Sequence, residues 1–276
     1  MNREHVLLQL FLRSWPFKRG VNRLVGELLG KLSFRHQLER VATTDGFSLH
    51  IMPNDLIGAF IYLTGEFDRT IIGMLLRYAK AGDLLVDIGA NIGYVSACFL
   101  ANVSKSSVIA IEPQPAVCDL LAQNLAQFPG RYQIARCALS NRNGEGHLLL
   151  SEGNSGNSCL SDEQAGQTIR VPLWSVEQFL SKFEIERAEL IKIDVEGHEK
   201  IIIEGLFPHL ARLRNRAILF EDHTKQAGVD GTIGALLTEG YDIFRIRRGF
   251  TKVKLAPVTT VSDCTSSEFI AVRRSS

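Results

Sequence analysis

Apolar residues along the chain fall into short continuous runs, and between these runs they recur at every third or fourth position. The runs lie at 84–88, 107–112, 132–138, 189–194, 216–221, 241–247 and 267–273. The stretches with helical spacing lie at 93–103, 115–128, 198–206 and 229–239. Buried strands that alternate with helices are typical of βαβ units. The pattern therefore predicts an α/β fold with a mostly parallel sheet.

One segment interrupts this alternation. Residues 140–167 are rich in Gly, Asn and Ser. We predict a hairpin in which "EGHLLLS" (145–151) pairs with "TIRVPLW" (168–174) around a flexible loop. Loops of this length inside a compact domain often serve a function.

The first 40 residues differ from the rest, because eight basic residues stand there against three acidic ones. Apolar residues recur there at helical spacing, at Val21, Leu24, Val25, Leu28, Leu29 and Leu32. The apolar stretch "HVLLQLFL" is far shorter than the roughly 20 residues of a spanning helix, and no secretory signal is visible. We favour a helix that packs on the main domain. The alternative is peripheral contact with an anionic membrane surface.

Composition limits the possible functions. The 276 residues suit one large domain, or one domain with an appendage, and 45% are hydrophobic, enough for a sizeable core. A net charge of +1 argues against a dedicated nucleic-acid surface. The five cysteines are dispersed and form no CxxC pair, which favours reduced thiols in a cytoplasmic protein.

The clearest motif is the stretch "LLVDIGANIGYVS". Asp87 ends an apolar run, and Gly89 and Gly93 follow before a predicted helix. Ligands of open parallel sheets bind beyond the carboxyl ends of the strands, and glycine lets the backbone approach them closely. The spacing D-x-G-x-x-x-G differs from the dinucleotide fingerprint. A tight strand-to-helix corner without a ligand is the structural alternative.

A second acid follows at the end of the next predicted strand. Glu112 lies 25 residues after Asp87, a gap that one helix and one return strand fill. A carboxylate at this position is able to accept hydrogen bonds from both hydroxyls of a ribose. The alternative is a surface carboxylate without a ligand.

A third acidic cluster indicates which kind of nucleoside the site would bind. Asp194 ends the predicted strand at 189–194, and Glu196 follows it. Such acids repel a pyrophosphate but suit a positively charged ligand. S-adenosylmethionine combines a ribose with a sulfonium, so we expect it rather than NAD. Lys192 shares a strand face with Asp194, which makes a buried ion pair plausible.

Four segments together resemble one family. "VDIGANIG", "AIEPQP" with the downstream Asn124, "GNSGNSCL" and "IKIDVEGHE" occur in this order. They are similar to the FkbM family of S-adenosylmethionine-dependent methyltransferases, over roughly residues 60 to 223. The resemblance implies a class I methyltransferase fold, a Rossmann-like sheet of seven strands whose last strand, from "SSEFIAVRR", is antiparallel. Residues 61–276 would form this domain, and 1–60 a helical, basic extension with a short strand region.

The resemblance also implies roles for individual residues. The cofactor would contact Asp87, Gly89, Ala90, Asn91, Gly93, Glu112, Cys137, Ala138 and Asp194. Within this set, the ribose would lie at Glu112 and the adenine beside Cys137 and Ala138. The chain departs from the family at Asp68, where Glu is frequent, and at Trp174, where an acid is frequent.

Methyl transfer to an alcohol also requires removal of its proton. The candidate bases are Asp194, Glu196, His198, Glu221 and His223. An alternative Mg²⁺ site would consist of Asp194, Glu221, Asp222 and His223. No tight ligand spacing is visible, so we predict that the enzyme has no metal.

The expected acceptor is a hydroxyl of a small molecule or sugar, in a glycolipid or polysaccharide precursor, with a polyketide hydroxyl as the alternative. The Asn/Asp-Pro-Pro-aromatic turn used for amino groups on bases is absent after the fourth strand, where "DVEG" stands. We therefore expect no nucleic-acid acceptor. Two other functions remain open: a nicotinamide-dependent oxidoreductase and a methyltransferase-like binding module without catalysis. No feature of the sequence indicates which oligomeric state the protein has.

Overall fold

The computed structural model describes residues 3–13, 25, 34, 36–151, 153–161, 166–221, 231–248, 253–258 and 268–274. The helices are α1 (Arg3–Arg13), α2 (Leu56–Thr64), α3 (Arg69–Tyr78), α4 (Tyr94–Asn102), α5 (Pro115–Leu125), α6 (Val176–Lys182), α7 (Glu199–Leu206) and α8 (Thr232–Thr238). The strands are β1 (Glu39–Ala42), β2 (Ser48–Ile51), β3 (Leu84–Ile88), β4 (Ser107–Ile111), β5 (Tyr132–Ala135), β6 (Ala138–Ser140), β7 (Gly144–Leu149), β8 (Cys159–Ser161), β9 (Thr168–Ser175), β10 (Leu190–Ile193), β11 (Ala217–Glu221), β12 (Tyr241–Arg248), β13 (Val253–Pro257) and β14 (Glu268–Arg273).

The central sheet has eight strands in the order β13-β12-β14-β11-β10-β3-β4-β5. Strands β5, β4, β3, β10 and β11 run parallel, and β14 runs antiparallel between β11 and β12. The predicted α/β sheet with an antiparallel last strand is therefore confirmed. The sheet exceeds the expected seven strands because β13 pairs antiparallel with β12 and forms an additional edge strand.

A second sheet of four strands has the order β6-β9-β7-β8. The predicted hairpin is confirmed, since Gly144 to Leu149 pair antiparallel with Leu173 to Thr168. The intervening loop contains β8 and a short 3₁₀ turn, Ser155–Asn157. The apolar run at 132–138 is divided between the two sheets, because β5 pairs with β4 whereas β6 pairs with β9.

The core has one cluster on each face of the central sheet. Helices α2 to α5 cover one face, and α6 to α8 cover the other. Strand β3 contributes side chains to both clusters, because Leu85 packs in the first cluster whereas Val86 and Ile88 pack in the second. This two-sided burial explains why the central strands appear as unbroken apolar runs in the sequence.

The N-terminal part contacts the main body. The amide Nε2 of Gln9 in α1 donates to the carbonyl of Tyr62 in α2 at 2.9 Å. The predicted helical pattern at 21–32 lies outside the described residues except for Val25, which is fully buried. In the part of the chain that the structure describes, no helix is long and apolar enough to span a membrane.

Candidate functional site

A pocket opens at the carboxyl ends of β3, β4 and β10, where the sequence places its three acidic motifs. Its wall is formed by the glycine turn after β3, the ends of β4 and β10, the segment between α2 and α3, and the loop around Ser155. The predicted site residues on this wall are Gly89, Ala90, Asn91, Glu112, Cys137, Ala138 and Asp194.

The glycine turn is locked between its two neighbouring strands. The N–H groups of Gly89 and Ala90 both donate to the carbonyl of Ile111, at 3.0 and 2.9 Å. Gly89 has φ of +76°, and a Cβ there would lie 1.8 Å from the carbonyl oxygen of Asp194. Only glycine fits this position, because both the backbone angle and the close approach exclude a side chain. Gly93, at φ +87°, is the N-cap residue of α4 and is not on the wall.

Glu112 lies at the end of β4 with both carboxylate oxygens already engaged. Each accepts a backbone hydrogen bond at 3.0 Å, one from Asn91 and one from Gln114. Burial raises the pKa of Glu112 to about 7, despite these two bonds and the charge of Lys192. A carboxylate oxygen has further lone pairs. Glu112 is therefore able to accept hydrogen bonds from the hydroxyls of a ligand in the pocket while it holds the glycine turn.

A buried ammonium joins the other two predicted acids. Lys192 Nζ lies 3.4 Å from Asp87 Oδ1 and 3.1 Å from Asp194 Oδ2, and it donates to the carbonyl of Gly89 at 2.9 Å. Burial lowers the pKa of Lys192, but the charges of Asp194 and Asp87 outweigh burial and raise it above the ordinary value. The expected pair between the lysine and an acid is thus present, and it includes a second carboxylate.

Several predicted residues lie away from the wall. The carboxylate of Asp87 is fully buried beneath the glycine turn, where it accepts from Ser96 Oγ at 2.7 Å. Glu196 and Glu221 are half-buried and do not line the pocket. Asp222 and His223 lie outside the described residues. Any contribution of Asp87 to binding therefore acts through Lys192 and the turn.

The turn after β10 explains the position of Glu196. Glu196 and Gly197 both have positive φ, +52° and +100°, so the chain reverses tightly there. Glu199 stabilises the turn, since its carboxylate accepts from the N–H of Gly197 at 3.1 Å. His198 does line the pocket, with Nε2 3.2 Å from Ser140 Oγ. Of the candidate bases that the structure describes, Asp194 and His198 are thus the two on the wall.

The contacts of two cysteines and one tryptophan indicate structural roles for these side chains. Burial raises the pKa of Cys137 to about 12, so its thiol stays neutral on the pocket wall. Cys98 is also buried, and its pKa is raised for the same reason. Trp174 packs beneath Lys182, whose Nζ lies 4.1 Å from the ring centroid. In the part of the chain that the structure describes, no group of His, Cys, Asp and Glu is arranged to hold a metal ion.

The loop predicted to be functional reaches the pocket. Ser155 is held on two sides: its N–H donates to Asp55 Oδ2 at 2.6 Å, and its Oγ accepts from Asn91 Nδ2 at 3.2 Å. Gly156, Ser158 and the neighbouring Leu160 line the pocket with it. The composition of the loop indicated a function, but only the fold shows that the loop contacts the glycine turn.

The hairpin β1–β2 is fastened to the same turn, which the sequence did not indicate. Asn124 accepts from the N–H of His50 at 2.7 Å and donates to the carbonyls of His50 and Ile92, at 3.0 and 2.8 Å. At the tip of the hairpin, Asp45 accepts from the hydroxyl of Tyr94 at 2.8 Å. Residues before position 60 therefore support the pocket directly.

Comparison with known proteins agrees with this geometry. Residues 87–243 match the model of the methyltransferase FkbM domain. The chain belongs to the FkbM methyltransferase family. The match begins at Asp87 and includes the glycine turn, Glu112 and Asp194, so the family region contains all three acidic motifs.

Two similar proteins and one similar solved structure are named as methyltransferases. Hexuronic acid methyltransferase AglP of Haloferax volcanii is 31% identical over 168 residues, which cover 61% of this chain and 65% of that protein. Methyltransferase sdnD of Sordaria araneosa is 27% identical over 209 residues, covering 63% of this chain and 80% of that protein. The structure of methyltransferase FkbM from Methylobacillus flagellatus covers 91% of this chain and 58% of its own, with a TM-score of 0.50 and 13% identity.

Proposed function

We propose that the protein is an S-adenosylmethionine-dependent O-methyltransferase that acts on a hydroxyl of a small molecule or sugar. The observation that carries this proposal is the convergence of the glycine turn, Glu112 and the Lys192–Asp194 pair on one pocket. Membership of the FkbM family supports methyl transfer.

The chemistry of the wall fits this cofactor. Among the described wall residues, Lys192 is the single Lys or Arg, and its ammonium contacts two carboxylates and a carbonyl. A pyrophosphate would find little positive charge there, which disfavours NAD. Glu112 would accept the ribose hydroxyls, and Gly89, Ala90 and Asn91 would bring backbone close to the methionine part.

The residues of the chain would then position the acceptor and move its proton. Bound S-adenosylmethionine supplies an electrophilic methyl group on a cationic sulfur. The side chain of Asp194 is 41% exposed at the end of β10, so it is able to accept the proton of an acceptor hydroxyl. The site would also align the acceptor oxygen with the methyl group. Holding two reactants in alignment generally lowers an activation barrier by about 7–11 kcal/mol.

A saccharide is the acceptor that we favour. One relative is named as a hexuronic acid methyltransferase, and a hexuronic acid carries several hydroxyls. A polyketide hydroxyl is the second choice. The net charge of +1 disfavours nucleic acid, and the buried, unpaired thiols of Cys98, Cys118 and Cys137 suit the cytoplasm.

Two experiments test the function. Calorimetric titration should show binding of S-adenosylhomocysteine and none of NAD; the reverse result would establish the nicotinamide oxidoreductase instead.

Incubation with S-adenosylmethionine and a panel of hexoses and hexuronic acids should release S-adenosylhomocysteine. Asp194→Ala should lower this turnover by about 10²–10⁴-fold, whereas Glu204→Ala on the exposed side of α7 should not. An undiminished rate in Asp194→Ala would end the assignment of the base. Cofactor binding without turnover on any acceptor would favour the non-catalytic binding module.

The N-terminal helix supports a further proposal about location. Leu7, Leu10 and Phe11 are 70%, 63% and 52% exposed, on the side of α1 away from the buried Leu12. Basic residues outnumber acidic ones in the first 40 positions, which complements an anionic lipid surface. We infer that α1 makes reversible contact with such a membrane.

Sedimentation with vesicles tests this contact. The protein should bind vesicles that contain phosphatidylglycerol and not vesicles of phosphatidylcholine alone. Replacement of Leu7, Leu10 and Phe11 by Ser should abolish binding. Equal sedimentation of the wild type and the triple variant would refute the proposal.

A further inference from the structure

Part of the pocket wall comes from outside the central sheet. Residues 153–158, which we call the strap, belong to the loop between β7 and β8. Ser155, Gly156 and Ser158 of the strap line the pocket, as do the glycine turn and Glu112 at the strand ends. A ligand that fills the pocket would therefore contact the strap on one side and the strand ends on another.

Hydrogen bonds fasten the strap to α2 and to the glycine turn. The carbonyl of Gly153 accepts from the N–H of Leu56 at 2.9 Å. The N–H of Ser155 donates to Asp55 Oδ2 at 2.6 Å, and Ser155 Oγ accepts from Asn91 Nδ2 at 3.2 Å. The position of the strap thus depends on polar contacts with two separate elements.

These contacts hold a segment that buries little surface. Each residue of the strap is exposed or half-buried. By contrast, the hairpin of β7 and β9 on either side of this loop contains the buried Leu148, Val171 and Leu173. Segments with few buried apolar contacts open at a low free energy. We therefore expect the strap to open while the hairpin stays folded.

Asp55 divides its carboxylate between α2 and the strap. Oδ1 accepts from the N–H of Ile57 at 3.1 Å and caps α2, whereas Oδ2 accepts from Ser155. Hydrogen bonds to a carboxylate are stronger than neutral ones, so this bond fastens the strap more firmly than the bond from Asn91. It joins two parts of the chain and involves no ligand atom. It should therefore stabilise the closed strap equally with and without a bound cofactor.

We propose that the strap closes the pocket over the cofactor and that Asp55 is the latch that holds it closed. This inference rests on the proposed function, since S-adenosylmethionine is the expected occupant. The cofactor enters and S-adenosylhomocysteine leaves when the bond between Asp55 and Ser155 breaks and the strap moves away from α2. Such closure shields a reaction from water and sets the rate of ligand exchange. Asp55 is thus a positioning residue, which acts through the strap and is not on the wall.

Stopped-flow measurement of S-adenosylhomocysteine binding tests the latch. In Asp55→Asn the amide oxygen still caps α2, because Asn and Asp are equally good N-caps, but the amide nitrogen is unable to accept from Ser155. We expect the association and dissociation rate constants both to rise about 10- to 100-fold, which corresponds to one hydrogen bond to a charged group. The Kd should change little. A rigid wall without gating would instead give a faster dissociation and a weaker Kd at an unchanged association rate constant.

Two further variants accompany this measurement. Ser155→Ala removes the neutral bond from Asn91 and should raise both rate constants less, by about 2- to 10-fold. Asp119→Asn is the matched control, because it makes the same chemical change at an exposed residue of α5 that pairs with Arg136. It should change neither rate constant.

Hydrogen exchange of the protein without added ligand tests the strap independently of the cofactor. The amides of the strap should exchange faster in Asp55→Asn than in the wild type, whereas those of β9 should exchange at the same rate. Unchanged exchange in the strap, or an unchanged association rate constant in Asp55→Asn, would overturn the inference. Failure of the wild type to bind S-adenosylhomocysteine would instead overturn the proposed function, and faster exchange of the strap in Asp55→Asn would still support the latch.

Discussion

The ammonium of Lys192 lies 3.1 Å from a carboxylate oxygen of Asp194. The lysine side chain is only 8% exposed, whereas that of Asp194 is 41% exposed. The pair therefore connects the interior of the sheet with the pocket. Because Lys192 also holds the buried Asp87 and the carbonyl of Gly89, one side chain determines both the local charge and the position of the glycine turn.

Removal of this ammonium should destabilise the protein. In Lys192→Met the carboxylate of Asp87, which is fully buried, loses its cation. Loss of one partner from a buried pair typically costs about 3–5 kcal/mol of unfolding free energy. Urea unfolding at pH 7 measures the change. Lys200→Met is the matched control, because Lys200 is half exposed and pairs with Glu204 on the surface at 3.8 Å; its cost should stay within about 0.5 kcal/mol. Equal midpoints for both variants would contradict the structural role of Lys192.

Glu112 should make cofactor affinity depend on pH. Burial raises the pKa of Glu112 to about 7, so below pH 7 the carboxyl is protonated and loses acceptor capacity for the ribose hydroxyls. Affinity for S-adenosylhomocysteine should therefore rise from pH 6 to pH 8. Calorimetry across this range should show that Glu112→Gln removes the dependence. A wild-type affinity that is flat with pH would contradict the assignment of Glu112.

The same carboxyl predicts how stability without ligand changes with pH. Because the pKa is raised by folding, the native state binds a proton between the ordinary value of 4.5 and about 7 that the unfolded state releases. The free energy of unfolding should thus fall as pH rises through this window, by on the order of 1–3 kcal/mol. Glu112→Gln does not titrate in this range and serves as the reference at each pH. Urea titrations at pH 5 and pH 8 test the sign, and a wild type that gains stability between them relative to the variant would refute it.

Gly89 should tolerate no side chain. In Gly89→Ala the Cβ would lie 1.8 Å from the carbonyl oxygen of Asp194, so the turn and the end of β10 must separate. We expect loss of measurable S-adenosylhomocysteine binding. Gly82→Ala is the control, since Gly82 has a similar φ of +84° but nothing within 4 Å of the added Cβ; it should lose about 1 kcal/mol of stability and keep its affinity. Binding by Gly89→Ala at wild-type strength would exclude this turn from the site.

Asn124 should matter for the pocket although it is not on the wall. It is 1% exposed and joins β2 to the carbonyl of Ile92 in the glycine turn. Asn124→Ala should lower both stability and affinity for S-adenosylhomocysteine. Asn215→Ala is a matched comparison, because Asn215 is also 1% exposed and donates to the carbonyls of Ala188 and Ala217, at the amino ends of β10 and β11. It should lower stability alone. An unchanged affinity in Asn124→Ala would show that the hairpin does not position the turn.

Much of the fold could be predicted because its signals are local. Strands buried on both faces give unbroken apolar runs, and β3, β4, β10 and β11 appear where these runs lie. The helices α4, α5, α7 and α8 follow the predicted spacing within a few residues. Helix α2 could not be recognised by periodicity, because it is apolar on nearly all sides and buried on most of them.

The site was predictable to the extent that parallel strands end at one edge of the sheet. The glycine turn, Glu112 and Asp194 all lie there, because the order of β3, β4 and β10 brings their carboxyl ends together. Residues that reach the pocket from elsewhere gave no such signal. Asp68 precedes the first strand of the sheet, and Ser155 belongs to a loop of the second sheet.

The linear pattern of residues was sufficient to predict the order of strands and helices, the family, and which carboxylates end neighbouring strands. These properties depend on periodicity and on residue types within short windows. The folded arrangement was needed to show that Asp87 lies beneath the wall, that Glu196 is not on it, and that Lys192 joins two acids. Burial and pairing of a charge depend on side chains that are distant in sequence, and a linear pattern does not contain those distances.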